Sequence, residues 1–161
     1  LKSVRNMLMA NELPFTLPVG EKVPVIDCKL LATGETVTVS GTGQAIVLVF
    51  LSSTCPKCRE KLPEMERLLP LLQVAGVNMW LVSQESKWRL KHFLKETSLS
   101  AIATRVHKHD YKVLNPTQTS PYYLFIDHTG CLEAGGLIGD DNWLSFCAQM
   151  DEMEIAVGAA A

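Results

Sequence analysis

Cys55 and Cys58, in the segment Leu-Ser-Ser-Thr-Cys-Pro-Lys-Cys, are the residues of this chain best suited to chemistry. A C-x-x-C pair is weak information by itself, because zinc sites use the same spacing. Its place in the chain says more. The pair stands where a continuous apolar run, Ala45–Leu51, gives way to apolar residues at three- and four-residue spacings. A cysteine at the start of a helix faces unpaired backbone N–H groups and the positive end of the helix dipole. Both favour the thiolate, which is the attacking form. Lys57 and Arg59 add positive charge in the same sense. Pro56 suits the first helical position, where its missing donor would be unpaired anyway. Cys58, one turn in, can then resolve a mixed disulfide.

Other readings of the cysteines are weaker. A zinc site needs about four ligands, and the chain has neither a second C-x-x-C nor an H-x-x-x-H. His107-Lys108-His109 is spaced for a solvated loop instead. An inert disulfide or a reduced core pair would leave the strand-to-helix placement unexplained. Cys147 lies on the apolar stripe of the last helix and reads as a small hydrophobe. Cys28 and Cys131 fall in strands and read as packing residues, with a disulfide between them as the minor alternative. Trp80, Trp88 and Trp143 are expected in the core or at its rim, and His92 on the surface. Asp127 is expected to shape a turn. Tyr122 and Tyr123 could line a substrate groove, with at least one of them in the core.

The bulk properties set limits on these possibilities. The chain has 161 residues, 47% hydrophobic and 20% charged, with 15 basic residues against 17 acidic and a net charge of −2. That is the make-up of one ordinary domain, and it argues against a nucleic-acid surface. The longest apolar run, Ala45–Leu51, is far short of the ~20 residues a spanning helix needs. Lys2 and Arg5 precede only a short apolar stretch, Met7–Ala10, so no secretory signal is visible. A first residue of Leu, not Met, leads to the expectation that an upstream segment was trimmed. Five cysteines are too few for a disulfide scaffold, and an odd number leaves at least one thiol unpaired.

Positioning the cysteines requires the following elements. Leu1–Gly20 reads as an arm, and Val25–Ala32 with Thr36–Val39 as an edge hairpin turning at Thr33–Gly34. Ala45–Leu51 is a strand buried on both faces. Leu62, Met65, Leu68, Leu69 and Leu72 mark a helix that Pro63 should bend and Gly76 should close. Val77–Val82 is the next strand. Ser86 caps a second helix, with Trp88, Phe93 and Leu94 on its apolar side. Ala101–Asn115 reads as short strands and loops. Tyr122–Asp127 and Cys131–Leu137 form a strand pair around a turn, the second strand weakened by Gly135 and Gly136. A last helix starts at Asp140 or Asp141 and buries Trp143, Phe146, Cys147, Met150 and Met153. Strands alternating with helices and ending in an antiparallel pair imply an α/β fold, with a mixed sheet covered by helices. The expected division is an arm over residues 1–19, one domain over 20–155 and a tail over 156–161.

An apolar strand, C-P-x-C, a proline in the helix and a later Ser-Pro before an apolar strand together resemble the thioredoxin superfamily. The N-terminal hairpin and the residues Gly20–Pro24 look more like its redoxin branch, the TlpA-like thiol–disulfide oxidoreductases. FLSSTCPKC together with SPYYLFIDHTGCLEAGGL is similar to the MauD group of methylamine utilization proteins. The resemblance spans Gly20 to Met150. It implies a thioredoxin fold with an N-terminal β-hairpin extension, acting outside the cytoplasm in the periplasm or anchored to a membrane facing it. The expected partners are client proteins with cysteines or disulfides and a membrane or periplasmic redox partner, with no metal, cofactor or nucleic acid.

By the same resemblance, Cys55 is the nucleophile, Cys58 the resolving cysteine and Pro121 a cis-proline beside them. Thr54, Pro56, Lys57 and Ser120 face the substrate. From the residues alone, Ser-Pro before a strand is a turn signal. The chain departs from the pattern at three places: Val49 replaces a buried aspartate, Thr54 a tryptophan, and Lys61 a helix glutamate. Glu60 and Glu64 are then the remaining candidates to accept the proton of Cys58. Two rival readings on the same fold are a peroxiredoxin-like peroxidase and a copper chaperone. Ser52-Ser53-Thr54-Cys55 resembles the T-x-x-C of the first, although Leu48 replaces its proline. Chaperones of the second kind space their cysteines by three.

Overall fold

A computed structural model describes residues 16–39 and 43–160. Most of the expected arm, Leu1–Phe15, lies outside the described residues. Seven strands form one sheet in the order β2-β1-β5-β4-β3-β6-β7. Its centre is β3 (Ile46–Phe50), parallel to β4 (Asn78–Ser83) and antiparallel to β6 (Tyr122–Ile126). Outside β4 lie β5 (Ala103–Arg105) and then the hairpin of β1 (Asp27–Leu30) and β2 (Thr36–Thr38). On the other flank β6 turns back into β7 (Leu132–Leu137). The mixed sheet and the edge hairpin are as the sequence implied; β4 keeps its expected length but is shifted by one residue, and the other expected strands are shorter by a residue or more.

The alternation of the central strands sends one set of side chains to each face. Val47, Val49 and Leu51 point to a core shared with Met79, Leu81 and Tyr123. Ile46, Leu48 and Phe50 point to the opposite core, with Val82, Tyr122 and Leu124. Helix α1 (Pro56–Ala75) and helix α4 (Asp141–Ala160) cover the first face. Cys58, Leu62, Met65, Leu68 and Leu72 of α1 are all buried there, opposite Trp143, Cys147 and Met150. Burying one such side chain contributes roughly 1.5–3 kcal/mol, so this seam fixes where α1 begins.

Helix α1 runs without interruption through Pro63 and Pro70 and ends at Gly76. There, Val77 N–H donates to the Leu72 carbonyl and Gly76 N–H to that of Gln73. Gly76 has φ 71°, a left-handed conformation that glycine adopts at little cost. Both prolines lie inside the helix.

The structure corrects several expectations. The segment Ala101–Asn115 holds a 3-10 turn (Leu99–Ile102), β5 and a helix, α3 (Lys108–Leu114). His107 is therefore the residue before a helix and His109 lies within it, not in a loop. Only Tyr111 and Leu114 of α3 are buried, too few positions to show a helical period. In α2 (Lys87–Phe93) the buried residues are Leu90 and Phe93, whereas Trp88 is 84% exposed. Trp88 lies two residues from Leu90, about 200° around the helix, so both cannot face the core. Met153 is also exposed, and α4 runs to Ala160.

Candidate active site

The loop between β3 and α1 is tied to the ends of two neighbouring strands. Ser53 donates through its backbone N–H to the Glu85 carboxylate at 3.2 and 3.3 Å, and through its hydroxyl to the same group. Glu85 is held in turn: its N–H donates to the Ser83 hydroxyl at 3.0 Å, and Arg105 Nε donates to its carbonyl at 3.0 Å. The loop thus leaves β3 along a path fixed by residues following β4 and ending β5. Cys55 comes next, as the N-cap of α1, with φ −100° and ψ 113°. A helix N-cap accepts from the first-turn amides that have no partner within the helix, and here the acceptor is sulfur. The Cys58 N–H reaches Cys55 Sγ at 3.4 Å.

From the other side comes the turn before β6. The Ser120–Pro121 bond is cis, in agreement with the expectation from resemblance. The Cys55 thiol lies 3.9 Å from the Ser120 carbonyl. Asn115, fully buried, holds this turn: its Nδ2 donates to the Thr119 carbonyl at 2.8 Å, and its Oδ1 accepts from the Thr119 N–H at 3.3 Å. Beyond Pro121, the Ile138 N–H closes onto the Pro121 carbonyl at 3.0 Å. Cys55, Cys58, Ser120 and Pro121 therefore meet at one place, from elements far apart in sequence.

The two thiols have different surroundings. Burial alone would raise the Cys55 pKa. Hydrogen bonds from the Cys58 thiol, the Cys58 and Lys57 amides and the Ser120 side outweigh it, so Cys55 lies below an ordinary thiol. Cys58, fully buried, is pushed up to about 11, chiefly by desolvation. Stabilisation of Cys55 thus comes from hydrogen bonds of the helix start, where the sequence pointed also to the charge of Lys57 and Arg59. Cys55 is thus the more readily ionised thiol and Cys58 the more readily protonated, a difference that a two-step exchange would use.

Thr54, Pro56 and Lys57 are exposed around Cys55. Lys57, Ser120 and Pro121 line a groove of about 530 Å³ with Ile138 and Asp140. Tyr122 and Tyr123 do not line it, being buried on opposite faces of the sheet. Val49 is fully buried in the same core as Cys58, so an apolar side chain stands where the superfamily's aspartate would be. Glu60 is exposed on the groove, while Glu64 accepts from Trp143 Nε1 at 2.8 Å and faces Cys147 at 3.6 Å. Glu64 thus bonds to α4 and pairs with Lys61, and no hydrogen bond links it to Cys58. All five cysteines are free thiols, including Cys28 and Cys131. Asp127 shapes its turn as expected, its Oδ1 accepting from Thr129 and Cys131 amides. Among the described residues no group of three or more His, Cys, Asp or Glu is placed to hold a metal ion, and no helix is long and apolar enough to cross a membrane.

Glu85 and Asn115 were not singled out in the sequence. The Asn-Pro dipeptide at Asn115–Pro116 was a turn signal available for the second. Glu85 carried none, since its partner Ser53 is 32 residues away.

The sequence profile of the AhpC/TSA family matches residues 19–134, from the segment before the hairpin to the middle of β7. The chain belongs to the AhpC/TSA family. Solved structures agree on the fold. The thioredoxin domain of a thiol-disulfide oxidoreductase from Bacteroides vulgatus superposes with TM-score 0.70 at 21% identity, over 84% of this chain and 99% of that one. An exposed lipoprotein thioredoxin from Streptococcus pneumoniae gives 0.63 at 17%, over 80% and 99%. A peroxiredoxin-like protein from Aquifex aeolicus gives 0.65 at 14%, over 85% and 88%. At such identities the likeness establishes the thioredoxin-like fold. No curated protein sequence matches the chain. As an AhpC/TSA protein it is an oxidoreductase at the level of the family.

Proposed function

We propose that this AhpC/TSA protein exchanges a dithiol for a disulfide with client proteins, through Cys55 and Cys58. The observation that carries the reading is the pairing of a stabilised Cys55 sulfur with a buried, protonated Cys58 whose amide touches it at 3.4 Å. In the reducing direction, the Cys55 thiolate attacks one sulfur of a client disulfide and the other leaves as a thiolate. Cys58 then passes its proton to that departed client thiolate and attacks Cys55 Sγ. The second client thiolate leaves, and Cys55–Cys58 becomes the disulfide. Oxidation of a client dithiol is the same path reversed, and the redox partner sets the direction. Ser120 and Pro121 on one side, with Thr54, Pro56 and Lys57 on the other, flank the client chain. No cofactor takes part.

Within the family, the motifs FLSSTCPKC and SPYYLFIDHTGCLEAGGL favour the TlpA-like, MauD-like branch. On that reading the protein works outside the cytoplasm, on the periplasmic side of the membrane, with a redox partner there. One structural relative is described as an exposed lipoprotein, in keeping with that location.

The test is a redox titration in glutathione or dithiothreitol buffers. A reversible two-electron transition is expected, with a midpoint above about −270 mV because the reduced thiolate is stabilised, and it is lost in Cys58→Ser. Cysteines that stay reduced throughout would overturn the reading. Since one relative is described as peroxiredoxin-like, peroxide consumption is measured beside it. Turnover of peroxide with no exchange would favour the peroxidase.

A further inference from the structure

We propose that the cationic face of α2 around Trp88 is a docking strip for an acidic polypeptide segment of the client, next to the client's reactive cysteine. The inference rests on the exchange reading above and adds the chemistry of the client.

Trp88 is 84% exposed, the most exposed of the large hydrophobic side chains on this protein's described surface. It stands among Lys87, Lys91 and Lys95, which with it line a hollow of about 590 Å³. From Lys87 to Lys95 the sequence contains no acidic residue. Among the described residues the ion pairs are Lys61–Glu64 and Arg67–Asp151, so these lysines are in no ion pair, although the exposed Glu96 follows Lys95. A second hollow of about 390 Å³ continues from Trp88 past Arg59 to Ser53 and Thr54, and Thr54 adjoins Cys55. Its floor is stiffened by the Arg59 guanidinium, 5.2 Å over the Phe93 ring.

An exposed tryptophan ringed by lysines suits an occupant that is acidic and carries one apolar anchor, because Trp is enriched among the residues that anchor interfaces and complementary charge steers the partner to the strip. The path ends at Thr54, one residue from Cys55, so a segment lying along it can also deliver a sulfur to Cys55. A short acidic strand meets this strip alone. A broad anionic surface such as a membrane would also face a chain whose net charge is −2.

The test uses the full chain in its reduced form and two short synthetic peptides. Each has one cysteine in a disulfide with nitrothiobenzoate, flanked by Glu and Leu in one peptide and by Lys and Leu in the other. Rates are read from the released nitrothiobenzoate. The acidic peptide is expected to react about tenfold faster at low salt, and within about twofold at 1 M salt, where the screening length is ~3 Å. In Lys87→Gln/Lys91→Gln/Lys95→Gln the preference should vanish, and in Trp88→Ala the acidic peptide should slow several-fold. Neither variant should change the rate with neutral 2-hydroxyethyl disulfide.

Equal peptide rates, or a preference that survives both variants, overturn the inference while exchange with 2-hydroxyethyl disulfide leaves the exchange reading standing. No reaction with any disulfide removes both. Sedimentation with phosphatidylglycerol vesicles, alongside equal peptide rates, would assign the strip to a membrane instead.

Discussion

The backbone amide of Cys58 donates to Cys55 Sγ across 3.4 Å, so one residue stabilises its neighbour's thiolate with its main chain while its own thiol stays buried and protonated. The two thiols should therefore separate in pH-dependent alkylation followed by mass spectrometry. Cys55 is held below an ordinary thiol. Its reaction with iodoacetamide is expected to persist to lower pH than that of an ordinary thiol. Cys58, pushed up to about 11, should label only as the solution approaches that pH. Equal labelling of both at pH 7 would contradict the assignment.

Glu85 clamps the loop before Cys55 through Ser53. Hydrogen bonds to a charged partner contribute about 1.5–3 kcal/mol, so Glu85→Ala should lower unfolding stability by that order. Ser53→Ala removes the hydroxyl donor to the same carboxylate. If the clamp is one unit, the double variant loses less than the sum of the singles, by about 0.5–3 kcal/mol. Denaturant unfolding of the four proteins measures this. Strict additivity would mean that Ser53 and Glu85 do not act together.

Much of this site could be read from the sequence, for a physical reason. A fully buried strand, a C-x-x-C at a helix start and a periodic helix are all local signals. The β3 run and the spacing of Leu62, Met65, Leu68 and Leu72 fixed the site's frame without any tertiary information. Helix α3 stayed hidden because two buried residues, Tyr111 and Leu114, cannot display a period. Trp88 was placed with the core because its residue type commonly lies there, although its angle from Leu90 forbids it. Glu85 and Asn115 act through partners that only the fold brings near, in the first case a serine 32 residues away.

Gly136 is required by Asp140. A methyl group at Gly136 would collide with the Asp140 carboxylate, and one at Gly135 would press on the Leu124 side chain. That carboxylate cannot simply swing away. It accepts from Tyr123 OH at 2.8 and 3.0 Å and, as a cap on α4, from the Trp143 N–H at 2.9 Å. Gly136→Ala should thus cost about 1–3 kcal/mol through the displaced bonds, with a lower thermal midpoint. Asp140→Ala should cost a similar amount. In that background Gly136→Ala should be nearly neutral, because the obstructing group is gone. Undiminished destabilisation in the double variant would refute the link.

Glu64 joins α1 to α4 by accepting from the Trp143 indole N–H at 2.8 Å, with the Cys147 thiol 3.6 Å away. Trp143 is fully buried, so an indole left without an acceptor costs about 1–3 kcal/mol. Glu64→Ala should lose that much, and Glu64→Gln, which keeps an amide oxygen there, much less. The same pair separates charge from burial at Cys147. Burial is the larger cause raising its pKa to about 11, and the Glu64 charge comes next. Removing the charge in Glu64→Gln lowers that pKa and so increases the thiolate at any pH below it. Burial persists, so the thiol still ionises above an ordinary one. Maleimide trapping of Cys147 across pH should show its midpoint moving down yet staying above that of a free thiol. An unmoved midpoint would mean that burial alone governs Cys147.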